Sequence, residues 1–154
     1  MAAAEQDSWL DEQRANIAEQ LVAAARDRLS GRVALEGNFT DQRTGRFNVL
    51  SPVAGTCPVE IEFDYAFWMV RIGNLRSSEW VGDYDEDGLR MALELFDAAL
   101  AGRVVESTSL GYAKSEVTLD DGDVAIGRFC PPWHPQFLIP WLRWRRVETF
   151  VPVA

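Results

Sequence analysis

The chain carries a single histidine, His134, which excludes a metal site built on two imidazoles. Its two cysteines, Cys57 and Cys130, make no disulfide framework and point to a reduced, cytoplasmic setting. It has one lysine, Lys114; the other 14 of its 15 basic residues are arginine, a codon bias that hints at a GC-rich bacterial source. No apolar run approaches the length of a membrane span. The opening residues Met1–Asp7 hold acids and no basic cluster, unlike a secretory leader. Gly31, Gly37 and Gly45 are scattered, without the spacing that cradles a phosphate. Ser107, Ser109 and Ser115 fall outside any nucleophile-elbow motif, so nothing here spells a nucleotide fold or a serine hydrolase.

What is present is an acidic, ordinarily globular composition. The 154 residues are 47% hydrophobic and 25% charged, enough for one domain, 1–154, with a real core. The net charge is −9 and unevenly spread. Residues 1–127 hold 23 acids against 11 bases, a balance of −12, whereas residues 128–154 carry +3. Such a body repels phosphate backbones and anionic lipid, which argues against nucleic-acid and membrane partners and for a basic protein partner.

The periodicity predicts an α+β domain. A helix is expected over 8–29, opened by the capping-box-like Ser8-Trp-Leu-Asp11, with an apolar face of Leu10, Ile17, Leu21, Ala24 and Leu29. Strands follow at 32–40 and 46–50, then at 59–64, where Val59, Ile61 and Phe63 alternate with Glu60, Glu62 and Asp64. Residues 67–72 continue as a strand, and 74–82 reads as a loop. A second helix spans 85–101, capped by Gly102. Three more strands lie at 103–110, 114–119 and 124–129, with Asp120-Asp121-Gly122-Asp123 as a hairpin turn. Short turns imply one antiparallel sheet of about six to seven strands with both helices on one face. A Pro/Trp/Arg-rich segment, 130–154, closes the chain with five of the seven prolines and three of the six tryptophans.

One stretch matches a named chemistry. In residues 83–94, Asp83, Asp85, Asp87, Gly88 and Glu94 occupy every specified position of an EF-hand calcium loop. Its surroundings point elsewhere. A strand precedes it where a helix belongs, Arg90 and Met91 fill the supporting positions, and no second copy pairs with it. The acids suit the positive end of a helix dipole, and Leu89, Leu93, Phe96 and Leu100 continue a helical stripe that carries Glu94 away. No cofactor or metal is therefore expected, with Asp83, Asp85, Asp87 and Glu94 as the lesser, calcium-binding alternative.

Glu60, Glu62 and Asp64 share one strand face at the pleat period. Such carboxylates divide acid and base roles only if their environments differ, and here they look equivalent. A like-charged row instead suits a cationic partner. Cys130 and His134 stand four apart, but Pro131, Pro132 and Pro135 prevent a helix from aligning them as a dyad. The segment 130–154 is rich in the tryptophan and arginine of interface hot spots; it wraps its own domain or contacts a partner, including a second copy of the chain.

The N-terminal helix, the acidic alternating strand Val59–Asp64 and the helix-to-strand run Asp85–Ser109 resemble small acidic immunity proteins of bacterial polymorphic toxins and secretion-chaperone-type α+β domains. That resemblance implies a non-enzymatic protein that covers a basic site on its partner. The expected surface is Glu60, Glu62 and Asp64 with Asp83, Asp85 and Asp87, rimmed by Trp68 or Trp80. The alternative is a small-molecule binder or carboxylate-using enzyme with a pocket lined by Tyr65, Phe67 and Trp68.

Overall fold

A computed structural model describes residues 2–29, 33–41, 44–75, 77–109, 112–129 and 146–153, with side chains from Asp11 onward. The segment 130–145, Cys130 and His134 included, lies outside the described residues, so the expected packing or dimer contact there has no structural account. The element order is α1 (Ala2–Arg28), β1 (Ala34–Phe39), β2 (Gly45–Leu50), β3 (Val59–Phe63), β4 (Trp68–Ile72), β5 (Glu79–Gly82), α2 (Glu86–Leu100), β6 (Val104–Ser109), β7 (Tyr112–Thr118), β8 (Val124–Phe129) and β9 (Arg146–Thr149).

The fold is α+β, as the periodicity implied, but the strands form two antiparallel sheets rather than one. The first is a five-stranded meander, β1-β2-β3-β4-β5; the second has the order β8-β7-β6-β9. The second sheet is a Greek key, because β9 returns past two strands to lie beside β6. Two strands went unread. β5 sits among polar loop residues, and β9 is four residues long and largely exposed.

The alternation in β3 folds as written. Val59, Ile61 and Phe63 are buried, while Glu60 and Glu62 point the other way. β4 repeats the pattern, with Trp68, Val70 and Ile72 fully buried. Against this inner face lie Ile17, Ala18, Leu21, Val22 and Ala25 of α1 and Ala92, Leu95, Phe96, Ala98 and Ala99 of α2, in one core. Phe39, Phe47 and Phe63 close one end of it, the Phe39 and Phe47 rings meeting edge-on at 5.0 Å. Helix α2 touches β4 and β5 of the first sheet and β7 of the second, so it packs between both sheets and not on one face of a single sheet.

Local chemistry sets the ends of α2. Asp85 is extended (φ −136°, ψ 178°) and its carboxylate accepts from Gly88 N at 2.7 Å, an N-cap in place of a calcium ligand. At the other end Gly102 takes φ +70°, and Gly102 N and Arg103 N donate to Ala99 O and Ala98 O. That left-handed position is where glycine ends a helix most cheaply. Tyr84, just ahead of the cap, ties α2 to the β3–β4 turn, with its Oη 2.6 Å from Asp64 O and 2.9 Å from Phe67 O.

Two buried protons link this core to pH. Burial pushes the Cys57 thiol from its ordinary 9.0 up to about 12, and the Glu106 charge adds to the rise. Burial likewise pushes the Tyr84 phenol from 10.0 to about 12. Each group holds its proton more tightly folded than unfolded. Its contribution to stability is complete below the unfolded pKa and is lost as pH climbs through the folded one. Urea midpoints should therefore fall between about pH 9 and 12, beyond any change seen from pH 7 to 9. The decline should be shallower in Cys57→Ala and Tyr84→Phe, and equal slopes in all three proteins would rule these groups out as its cause. Tyr84→Phe should also cost about 1–2 kcal/mol at neutral pH, because Asp64 O loses the phenolic donor, whereas Phe67 O still accepts from Asp64 N.

Candidate protein-binding face

The outer face of the first sheet is built by register. Glu36 of β1 lies opposite Asn48 of β2, Asn48 opposite Glu60 of β3, Glu60 opposite Arg71 of β4, and Arg71 opposite Glu79 of β5. The next outward row is Asn38, Arg46, Glu62, Met69 and Val81. Two such rows cross all five strands, so the acids of β3 do not stand alone.

They are already cross-linked. Arg71 reaches Glu60 at 3.0 Å and Glu79 at 2.7 Å. Arg46 reaches Glu62 at 3.0 Å and Glu60 at 3.7 Å. The chain Glu62–Arg46–Glu60–Arg71–Glu79 relieves the repulsion expected of a bare acidic row. The hydrogen bond from Arg71 to Glu79 is the main cause of the upward shift of its guanidinium, with the charges of Glu79, Glu60 and Glu62 adding to it. Counting both rows, four carboxylates face two guanidinium groups, so the face keeps a net negative charge. Each pair is partly open to water and contributes only tenths of a kcal/mol to stability, up to about 1 kcal/mol.

A groove of about 360 Å³ opens on the same face, lined by Glu36, Asn48, Glu60 and Arg71 on its polar side. Val49, Leu50, Pro58 and Val59 supply apolar surface to it. Leu50 is 48% exposed, and Val81 on the neighbouring row is 54% exposed.

The residues picked from the sequence divide in four. Glu60 and Glu62 lie on this face. Asp64 is exposed but falls one residue past β3, where its carboxylate accepts from Tyr65 N; Asp83 follows β5 at the same end of the sheet. Asp85 and Asp87 belong to the start of α2, Asp85 as its cap and Asp87 paired with Arg90 at 2.8 Å. Trp68 and Trp80 cannot rim the face. Trp68 is fully buried on the inner side, and Trp80 pairs opposite Val70, which also points inward.

Nor do Tyr65, Phe67 and Trp68 line a common pocket. Tyr65 is half exposed and its hydroxyl bonds Asp41, whereas Trp68 is enclosed. The calcium geometry does not form either. β5 stands ahead of the loop, and Glu94 lies two turns into α2, 3.9 Å from Arg90. Among the described residues, no three His, Cys, Asp or Glu side chains are grouped to hold a metal ion.

Sequence reasoning passed over Arg46, Arg71, Glu36, Glu79 and Asn48. The signal for them was the outward phase of β2 and β4, usable only once the register is known. No protein-family model matches the chain, and no curated protein sequence matches it. No helix among the described residues is long and apolar enough to cross a membrane.

Proposed function

We propose that this chain is a non-enzymatic protein-binding module that docks a basic protein on the outer face of its first sheet. The observation that carries the reading is the arginine-braced carboxylate ladder, which holds a net negative charge in fixed geometry beside an open groove. Fixed charges of one sign speed the encounter with a partner of the other and select the docking register. The apolar end of the groove at Leu50 and Pro58, and exposed Val81, supply surface that gains from being covered. Covering a basic site on its partner in a bacterial cytoplasm, as an immunity protein or secretion chaperone does, is the role this surface fits.

The test is capture from a bacterial lysate at two salt concentrations, comparing wild type with Glu60→Lys/Glu62→Lys. A specific basic protein should be retained by wild type at low salt. In purified form its association rate should drop at least about 10-fold with the charge-reversed variant, and the salt dependence should flatten. Because the four ion pairs are partly exposed, the variant should stay folded, which circular dichroism checks. Equal retention by both proteins would remove this face from the interaction.

A further inference from the structure

The two sheets present four edge strands, and they are not alike. β5 and β9 have four residues each, and β9 carries Arg146 and Glu148. β1 carries Glu36 and Asn38 with Gly37 between them. Short length and charge are the usual protections of a sheet edge against further pairing. β8 has neither. It runs for six residues, Val124–Phe129, with Arg128 its only charge, and it pairs with β7 on one side. Val124, Ile126 and Phe129 are exposed at 47, 44 and 45%. On its inner side β8 is backed closely, since a side chain at Gly127 would run into Ser77 O. Among the described residues, no strand pairs the far edge of β8, and its outer face is exposed.

We propose that β8 is a self-association edge, pairing antiparallel with β8 of a second copy about a two-fold axis at Ile126. An antiparallel two-fold pairing keeps each residue on its own face, so the axis must pass through a residue. Centred on Ile126, it pairs every position from 124 to 128. Ile126 meets its own copy, and Val124 meets the aliphatic stem of Arg128 from the other chain on the same outer face. Ala125 meets Gly127 on the inner face, a small pair that fits the close backing there.

Charge complementarity selects a second copy over an unrelated strand. β8 has acids at one end, Asp121 and Asp123 of the β7–β8 turn, and Arg128 at the other. Among the described residues, neither Asp123 nor Arg128 has an ion-pair partner within its own chain. Antiparallel pairing brings Arg128 of each copy beside the acidic turn of the other, twice over. The result joins two four-stranded sheets into one of eight strands. The contact is short, so association on the order of tens of micromolar is expected. It lies on the second sheet and leaves the acidic face of the first sheet open.

Sedimentation velocity over a concentration series tests this directly. Wild type should shift from monomer to dimer, and Ile126→Lys, which sets two ammonium groups across the axis, should weaken the dimer at least about 10-fold. A second arm reads the register and does not depend on that variant folding. In a Cys130→Ser background, Ile126→Cys should cross-link to itself on mild oxidation, because directly opposite Cα atoms lie about 4.5–5.5 Å apart, within disulfide reach. Val81→Cys, at a somewhat more exposed position on the first sheet, serves as the control. Wild type that stays monomeric to roughly 500 μM overturns the proposal. So does a dimer indifferent to Ile126→Lys, or an Ile126→Cys protein that cross-links no faster than the control.

Discussion

Replacing Glu106 by alanine is expected to lower the free energy of unfolding by about 3–5 kcal/mol, a large part of what a domain of this size possesses. Glu106 is 2% exposed, at the centre of the second sheet. Its carboxylate accepts from Asn74 N and Leu75 N, both at 3.0 Å, and from Ser78 Oγ at 2.6 Å. All three donors sit in the β4–β5 connection of the first sheet, so this one side chain fastens the two sheets together. The serines behind it line up in a single direction. Ser78 gives its only hydroxyl proton to Glu106, so the 2.6 Å contact with Ser115 requires Ser115 to donate. Ser77 must then donate to Ser115 across 3.0 Å.

Alanine at 106 strands two part-buried amides and the buried Ser78 hydroxyl at the end of that chain, and an unsatisfied buried donor costs about 1–3 kcal/mol. Glu106→Gln keeps one oxygen for the three donors but turns an amide toward Asn74 N, and should cost about 1–2 kcal/mol. Ser115→Ala breaks the chain one step further out and should cost about 1 kcal/mol. Urea unfolding with unchanged m-values would measure all three. An alanine variant no less stable than the glutamine variant would mean that the carboxylate does not hold the sheets together.

That arrangement also marks where sequence reading stopped. The ends of α2 were legible because capping is local: Asp85 bonds three residues ahead, and Gly102 needs only its own φ. The face of β3 was legible because alternation is written within five residues. Glu106 was not. In Val104-Val105-Glu106 the apolar pair leaves the phase open, and an inward glutamate is acceptable only because Asn74, Leu75 and Ser78 supply donors from 28 to 32 positions away. The same polar residues made 74–82 read as a loop and hid β5. The division into two sheets was invisible for a related reason, since strands of either sheet alternate identically and only the packing of α2 distinguishes them.

The candidate face repeats the lesson in electrostatic form. By alternation alone Glu60 and Glu62 make a row awaiting a cation, and the register supplies two from within the chain. Arg46 lies 14 residues before Glu60 and Arg71 lies 11 after it. With repulsion relieved in place, a partner is not required to stabilise the row. What it meets is a rigid pattern of alternating charge with an acidic excess, a more selective target than a diffuse negative field.

The second large effect belongs to Trp68 and the glycine opposite it. Trp68→Ala should cost about 3–5 kcal/mol, for the ring is fully buried and its Nε1 donates to Asp83 O at 2.8 Å. Gly82 is its directly opposed partner across β4 and β5, and a methyl group there would overlap the indole. Gly82→Ala should therefore cost about 1–3 kcal/mol by overpacking. The two effects are one interaction seen from both sides, so they should not add. In Trp68→Phe the smaller ring withdraws from Gly82, and alanine at 82 should then cost little. A double-mutant cycle over Trp68→Phe and Gly82→Ala should return a favourable coupling of about 1 kcal/mol or more, whereas additive behaviour would mean that the ring does not rest on that glycine. The stake reaches beyond the core. The indole bonds the residue that leads into Tyr84 and the Asp85 cap, so a shift of Trp68 would move the start of α2 together with Asp83 at the edge of the candidate face.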